Sequence, residues 1–313
     1  MDLNNCTRVT EFVLLGFPHI SGLNITLFIV ILLLYVLSLS GNGFIIIVVR
    51  VNRQLQKPMY FFLSNLSFLE IWYTTVLVPK MLTNLLSSKT TICFYCCMAQ
   101  SYFHFLLGIT EFYILTVMSF DCYLAICQPL RYPTIMTAGV CFQLALTAWF
   151  GGFCTILLQT VLVVRLPFCH SNVVDHFYCD IGPVLKISGG GALGFLISVA
   201  VILTSLLLNV ISYTFIISTI LRIPSASGGR KAFSTCASHL TVLSILYGAV
   251  LFIYLRPSAA RSSFNFNKAV SMLNTVIAPV LNPFIYTIRN DDVKTALRKV
   301  LRSLEGKWAS SPL

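Results

Sequence analysis

Charged residues are scarce in this chain. Of its 313 residues, 10% are Asp, Glu, Lys or Arg and 57% are hydrophobic. Water-soluble domains carry roughly 25% charged residues, so this shortage argues against a soluble protein and indicates one that crosses a membrane several times. Most of the charges are basic, which suits anionic membrane lipid and a cytoplasmic partner. No dense basic patch with interleaved aromatics occurs, so nucleic acid is not predicted as a partner.

Catalytic motifs are missing as well. The sequence has no GxSxG, HExxH or Walker A pattern, and its glycine clusters at 189–191 and 228–229 follow no strand. An intramembrane enzyme would also need a nucleophile and a base at recognisable spacing, and none is found. We therefore predict that the protein is not an enzyme. No basic segment followed by an apolar one opens the chain, so we expect no cleavable signal peptide.

Seven apolar stretches are long enough to cross a bilayer as helices, which takes about 20 residues each. They lie near 24–50, 59–86, 95–127, 139–164, 193–221, 233–255 and 269–289. No strand alternation of the barrel type is seen. These observations predict an all-α membrane protein, a seven-transmembrane helix bundle over residues 24–289.

The distribution of Lys and Arg favours an extracellular N-terminus, because the segments that would then be cytoplasmic hold more of them. Residues 1–23 would form an extracellular tail, in which Asn5 begins a glycosylation sequon. Residues 290–313 would be cytoplasmic and would begin with a short amphipathic eighth helix. Its apolar residues recur at helical spacing: Val293, Ala296, Leu297, Val300, Leu301 and Leu304.

Two acidic residues fall inside predicted spans, Glu70 in the second and Glu111 in the third. Acids in a span are costly and therefore mark functional sites by default. Two carboxylates cannot both stay charged in a dry core without an offsetting group. We expect a shared proton or a bound Na⁺; the alternative is two structural acids that are hydrogen-bonded separately.

A candidate ligand site lies in the outer half of the third span, at His104. Phe105, Gly108, Ile109 and Phe112 follow it at steps that keep one helical side toward the bundle interior. An apolar cavity with one polar group suits a hydrophobic small molecule. The alternative is a packed core that contains one hydrogen-bonded histidine.

The loop between the fourth and fifth spans contains several Cys and His residues. Cysteines outside the cytosol normally oxidise, so Cys97 could pair with Cys179 and hold this loop over the bundle. Cys169, His170, His176 and Cys179 could instead bind a metal ion, which would compete with the disulfide.

Five motifs spread along the chain occur together in one receptor family. They are Gly41-Asn42, "KPMYFFLSNLSFLE" at 57–70, "MSFDCYLAICQPLRYPTIM" at 118–136, "SYTFIISTILRIPSASGGRKAFSTCASHLTVLSILYG" at 212–248 and "PVLNPFIYTIRN" at 279–290. With them the chain resembles the olfactory (odorant) receptors, within the rhodopsin-like G-protein-coupled receptors. The resemblance implies a multi-pass plasma-membrane receptor that binds a small volatile hydrophobic odorant. It also implies coupling to a heterotrimeric G protein of the stimulatory olfactory type, which raises cyclic AMP.

A different class of function is an ion-coupled membrane transporter or channel that uses the two buried acids as an ion path. Transporters usually show internal repeats and broken helices in matching halves. Seven spans without a visible repeat argue against this alternative.

The resemblance also implies roles for individual residues. It implies a disulfide between Cys97 and Cys179, and a sodium site around Glu70, Glu111 and Asn282. It places the odorant pocket among the third, fifth, sixth and seventh helices, at His104, Phe105, Gly108, Ile109, Ile197, Val201, Val250, Tyr254, Met272 and Thr275. The activation switch would comprise Asp121, Cys122, Tyr123, Tyr213, Tyr247, Asn282, Pro283 and Tyr286.

The chain departs from the family pattern at Cys122, where the family usually has arginine. That arginine commonly pairs with the acid before it, here Asp121, in the resting state and reaches the G protein in the active state. Either nearby polar groups set the switch here, or coupling is weak and basal activity is altered. We favour a functional receptor with modified switching.

A second departure lies in the loop before the fifth span. The family usually has a cysteine near position 189, which pairs with the one at 169, and this chain has Gly189. Cys169 would then stay unpaired or would pair elsewhere, for instance with Cys6 or Cys93. This departure bears on the rigidity of the loop over the pocket.

Overall fold

Seven long helices make up most of the described chain. The computed structural model describes residues 9–16, 23–87, 89–164, 172–180, 192–222, 226–255, 264–289 and 293–295. The helices are α1 (Leu23–Val51), α2 (Pro58–Leu86), α3 (Phe94–Cys127), α4 (Ala138–Val164), α5 (Ala192–Leu221), α6 (Ala226–Leu255) and α7. The last consists of Phe264–Met272, a π-helical segment Leu273–Ile277, and Ala278–Arg289. All seven coincide with the predicted apolar stretches, although α6 and α7 begin earlier than predicted.

Six of these helices are long and apolar enough to cross a membrane, namely α1, α2, α3, α4, α5 and α7. Within α6, the described residues contain a shorter apolar stretch, Cys236–Phe252. Large apolar side chains such as Phe142, Leu207 and Phe215 are exposed on the outside of the bundle, as expected where lipid surrounds the helices. Of the predicted eighth helix, all but residues 293–295 lies outside the described residues.

A small sheet, which the sequence did not predict, joins the N-terminal segment to the bundle. Strand β1 (Glu11–Leu14) pairs antiparallel with β2 (Thr91–Cys93) and parallel with β3 (Val173–Val174). Phe12 and Leu14 are fully buried in a separate apolar cluster beneath it. The all-α prediction is therefore right for the bundle but omits this sheet, because strands of two to four residues are too short to show alternation. We call the sheet together with residues 172–180 the lid.

Two glycines permit close helix packing. A Cβ atom at Gly41 of α1 would lie 3.2 Å from Cβ of Pro283 on α7. A Cβ atom at Gly152 of α4 would overlap the hydroxyl of Thr110 on α3. Because protein interiors are close-packed, any side chain at these positions would push the two helices apart. Glycine therefore sets the α1–α7 and α3–α4 distances.

Candidate functional site

A cavity of about 180 Å³ lies between α3, α5, α6 and α7. One water needs roughly 15 Å³ of such space, and sites for drug-sized ligands take roughly 300–1,000 Å³, so this cavity suits a small molecule. Its lining includes seven of the predicted residues: His104, Phe105, Gly108, Ile109, Val201, Val250 and Thr275. Ile197 and Met272 are half-buried and lie outside this lining. The side chain of Tyr254 is beyond the described residues.

His104 gives the cavity an unpaired polar atom. Its ring packs against Tyr73 and Tyr178, with centroids 5.1 and 4.7 Å away, and it is 6% exposed. Its Nδ1 atom has no hydrogen-bond partner among the described residues. A buried polar atom of this kind normally finds a partner, and a ligand in the cavity can supply one. The geometry is that of a cavity lined by a polar atom that is open to a ligand, rather than of a packed core around a hydrogen-bonded histidine.

The cavity has more polar lining than the sequence indicated. The further polar residues are Tyr73, Glu111, Tyr178, Asp180, Ser198, Ser271, Asn274. Tyr178 and Asp180 come from the lid, and they reach the cavity because Cys179 between them is bonded to Cys97 of α3. The backbone N–H of Cys179 also donates to Oε1 of Gln100, at 3.1 Å. Tyr178 and Asp180 flank Cys179 in the sequence, and the disulfide predicted at Cys179 is the signal that would have identified both.

The four described cysteines at the lid end of the bundle are paired. Cys97 and Cys179 form the disulfide that the resemblance implied, and Cys93 is bonded to Cys96. The pairing of Cys93 with Cys169 is therefore wrong for this structure, while Cys6 and Cys169 themselves lie outside the described residues. Because a bonded Cys179 offers no thiolate, the proposed metal site loses a ligand. In the described part of the chain, no group of three or more His, Cys, Asp or Glu residues could hold a metal.

Lys268, near the start of α7, ties the lid down. Its side chain is 5% exposed, and its ammonium donates to the carbonyl oxygen of Gly16 and, at 2.7 Å, to Oδ1 of Asp175. The adjacent His176 is buried against Phe177, and its Nδ1 has no hydrogen-bond partner in the part of the chain that the structure describes. Burial and, secondarily, the charge of Lys268 lower the pKa of His176 to about 3, against an opposing effect of Asp175. His176 is therefore neutral at physiological pH.

The predicted ion site lies next to the cavity. Glu111 lines the cavity, and its carboxyl group interacts with that of Glu70. Glu70 accepts a hydrogen bond from Nδ2 of Asn282 on α7. Nδ2 of Asn42 on α1 donates to the carbonyl oxygen of Pro279, at 3.0 Å, which fixes α7 at this depth. Two buried acids that interact electrostatically need a proton or a cation to offset their charge, so the arrangement is suited to either.

Tyr247 connects the cavity to a polar network between α3, α5 and α6. Its ring lies 5.2 Å from that of the cavity residue Phe112, and its hydroxyl donates to Ser205 Oγ at 2.9 Å. Asn209 donates to the Tyr247 hydroxyl, at 3.1 Å, and accepts from the hydroxyl of Ser119 on α3. A change at the cavity can therefore reach three helices through a short chain of hydrogen bonds.

The predicted switch residue Tyr213 is bonded farther along α5. Its hydroxyl lies 2.6 Å from Nδ1 of His239 on α6. Sequence reasoning missed His239, and it missed Ser205 and Asn209 of the Tyr247 network. A signal was present, because Ser205, Asn209 and Tyr213 are spaced four residues apart and so share one face of α5.

The three side chains of residues 121–123 contact three different parts of the protein. Asp121 is buried, and its Oδ1 accepts from the hydroxyl of Tyr132, at 2.9 Å, in the connection after α3. Burial and the Asp121 carboxylate raise the pKa of Tyr132, which keeps it a donor. The buried thiol of Cys122 interacts with that of Cys236 on α6, and Tyr123 packs on Phe215 of α5. Asp121 thus has a hydrogen-bond donor close to the position at which the family usually has arginine.

The remaining predicted switch residues lie on α7. Pro283 packs against Gly41, and Tyr286 is 1% exposed, with a hydroxyl that has no hydrogen-bond partner within the described ranges. Because an unpaired buried hydroxyl is costly, Tyr286 would gain a hydrogen bond in any rearrangement that offers it a partner. That property suits a residue that changes position.

Comparison with known proteins gives matches over nearly the whole chain. The family model described as Olfactory receptor matches residues 31–304. The human protein Olfactory receptor 6X1 is 59% identical over 304 residues, which cover 96% of this chain and 97% of that protein. Mouse Olfactory receptor 6B9 is 47% identical, with 96% of each chain covered. Rat Olfactory receptor 226 is 47% identical, with 98% of this chain and 97% of that protein covered.

Proposed function

Because the chain belongs to the olfactory receptor family, whose members are G-protein-coupled receptors and not enzymes, we propose that a small volatile odorant binds in the cavity between α3, α5, α6 and α7. The observation that carries the proposal is the cavity itself, with the unpaired Nδ1 of His104 among apolar and aromatic walls. A ligand with an apolar body and one hydrogen-bonding group fits such a site. The transporter or channel alternative is withdrawn, since the relatives are receptors.

We propose that α6 provides the seventh span of this multi-pass plasma-membrane protein, and that its N-terminus is extracellular. The apolar stretch Cys236–Phe252 supports the span. The two disulfides support the orientation, because disulfides form outside the cytosol and both lie at the end of the bundle that β1 joins. This orientation would expose Asn5 to glycosylation. It would place residues 290–313, with their amphipathic eighth helix, in the cytoplasm.

Activation would follow from the contacts around the cavity. An odorant shifts a receptor toward its active arrangement only by binding that arrangement better. Here, contact with Phe112 and Tyr247 would bias the network between α3, α5 and α6. We propose that the inner end of α6 then moves away from α3, which separates Cys236 from Cys122. A G protein of the stimulatory olfactory type would bind the opened face and raise cyclic AMP.

We also propose that Na⁺ occupies the site formed by Glu70, Glu111 and Asn282 in the resting receptor. The support is the buried acid pair and its direct link to the cavity through Glu111. Because Glu111 lines both sites, an odorant and the ion would influence one another, and this coupling is reciprocal by thermodynamic necessity.

A cyclic AMP assay in transfected cells tests the proposed function. The probes are homologous straight-chain alcohols, aldehydes, ketones and acids, and an N-terminal epitope read on intact cells reports both surface expression and orientation. The test variant is Gly108→Phe, because a Cβ atom at Gly108 points toward Tyr73 within the cavity wall and a ring there fills the space. The matched control is Gly139→Phe, at a position with no neighbour within 4 Å.

We expect at least one probe to raise cyclic AMP with the native chain and the Gly139→Phe control. The Gly108→Phe variant should reach the surface but lose the response. A response that survives Gly108→Phe would place the odorant elsewhere. Surface expression without a response to any probe class would contradict the proposed ligand, and an epitope accessible only in permeabilised cells would contradict the orientation.

A further inference from the structure

The cavity between α3, α5, α6 and α7 has acidic groups in its wall. Glu111 of α3 and Asp180 of the lid both line it, and none of its described lining residues is Lys or Arg. Tyr73, in the same lining, interacts electrostatically with these two acids and with Glu70. Three carboxyl groups therefore approach one part of the wall. A cavity lined by charge of one sign attracts a ligand of the opposite sign, so this cavity favours a cation over an anion.

Glu111 carries a buried carboxyl group that a ligand in the cavity can contact. Its side chain is 6% exposed, and no residue in the described part of the chain donates a hydrogen bond to the carboxyl group. Its neighbour Glu70 is a second acid, and the Asn282 amide donates to Glu70. Burial of a carboxylate is costly unless a charge and hydrogen bonds offset it. A ligand with a positive charge and N–H donors would supply both to Glu111.

Aromatic and aliphatic side chains make up much of the remaining lining. The aromatic ones are Tyr73, Phe105, Phe112 and Tyr178. An aromatic ring attracts a cation to its face, and rings of this kind are used to recognise ammonium ligands. The aliphatic side chains, which suit the hydrocarbon part of a ligand, include Val201, Ile202, Leu246 and Val250. The lining as a whole therefore matches a small cation with an apolar body.

We propose that the odorant is a small aliphatic amine, bound as its ammonium ion with an N–H group donated to Glu111 and its alkyl group against Val201, Ile202 and Val250. This inference rests on the proposed function and names the ligand class of the same cavity. Alkylamines are protonated at neutral pH, because their pKa is roughly 10. An alcohol of the same length can donate to Glu111 but brings no charge, an aldehyde cannot donate, and a carboxylate is repelled. The ammonium would offset the acid pair in place of Na⁺, so the two cations would compete.

The test measures cyclic AMP dose–response curves for straight-chain amines and for alcohols, aldehydes and acids of the same chain length, with cells that lack the receptor as a blank. The full-length receptor carries the surface epitope. Glu111→Gln keeps the size of the side chain but removes its charge. The matched control is Glu11→Gln, which removes an exposed carboxylate of β1 outside the cavity lining. Asp180→Asn removes the other acid of the lining from the lid, and it decides the matter should Glu111→Gln fail to fold or to signal.

We expect the amine to act on the native chain and on the Glu11→Gln control at a roughly tenfold lower concentration than the alcohol, because a hydrogen bond between charged groups is stronger than a neutral one. Glu111→Gln should abolish this preference, and Asp180→Asn should reduce it.

A different order of potency would overturn the amine assignment alone. If an alcohol, aldehyde or acid acts at lower concentration than the amine, and Gly108→Phe removes that response, the cavity is still the odorant site but its ligand is not an amine. An amine preference that survives both Glu111→Gln and Asp180→Asn would also overturn the assignment. Silence toward all four classes at a receptor that reaches the surface would contradict the proposed function itself.

Discussion

The lid should open in mild acid, because His176 is buried in its neutral form. The pKa of this histidine is about 3 in the folded protein, against 6.5 for the free side chain, chiefly through burial and then through Lys268. As the pH is lowered, His176 is therefore protonated in the open lid before it is protonated in the closed lid. Lid stability should be complete above about pH 6.5 and should fall as the pH is lowered from there toward 3.

The expected loss of lid stability follows from the pKa of His176 in the folded protein and its pKa as a free side chain. At about pH 5 the histidine is 1.5 pH units below its free pKa, and each unit is worth about 1.36 kcal/mol. The lid would lose about 2 kcal/mol, which corresponds to a roughly 30-fold larger open fraction.

Hydrogen exchange of the receptor in nanodiscs measures this opening. After correction for the intrinsic rates at the two pH values, backbone amides of β1 and of residues 172–180 should lose protection at about pH 5 relative to pH 7.5. His176→Gln, which cannot take up a proton, should show the same protection at both values. The reasoning is refuted if wild-type protection is unchanged, or if the glutamine variant loses as much.

Three further perturbations have defined outcomes. Lys268→Met removes the buried ammonium and its two hydrogen bonds. Because Asp175 is 41% exposed, we expect the free energy of unfolding to fall by about 2 kcal/mol, which would lower the unfolding midpoint and speed hydrogen exchange in β1. The control Lys89→Met, at an exposed position, should have no effect. Gly152→Ala should cost about 1–3 kcal/mol by forcing α4 from α3, whereas Gly139→Ala should be neutral by the same thermal assay. Cys122→Arg should change basal cyclic AMP without altering surface expression, and identical basal and odorant-evoked signals would show that the thiol contact with α6 does not set the switch.

The helices and part of the site were predictable for physical reasons. A backbone in lipid must satisfy its own hydrogen bonds, so apolar stretches of sufficient length indicate helices almost without ambiguity. Along one helix the period then places His104, Phe105, Gly108 and Ile109 on the cavity side. The lid could not be predicted in the same way, because its strands are two to four residues long and their partners are distant in sequence.

Contacts between helices could not be predicted from the sequence either. The bond from Tyr132 to Asp121 and the contact of Cys122 with Cys236 depend on how each helix is rotated, which no single-helix pattern fixes. The family resemblance named Asp121 and Cys122 as a switch but supplied no partner for them. The partners follow from packing: Tyr132 for Asp121 and Cys236 for Cys122.

The hydrogen bond from Lys268 to the carbonyl oxygen of Gly16 also has a consequence for biosynthesis. The two residues are 252 positions apart, and at ~5–20 residues per second a ribosome needs roughly 10–50 s to pass from one to the other. Throughout that interval strand β1 has been synthesised, but Lys268 has not. The residues that pack on Phe12 and Leu14 have all been made once Cys179 is synthesised, so β1 can be buried early, whereas the bond that joins Gly16 to α7 has to wait for the last helix.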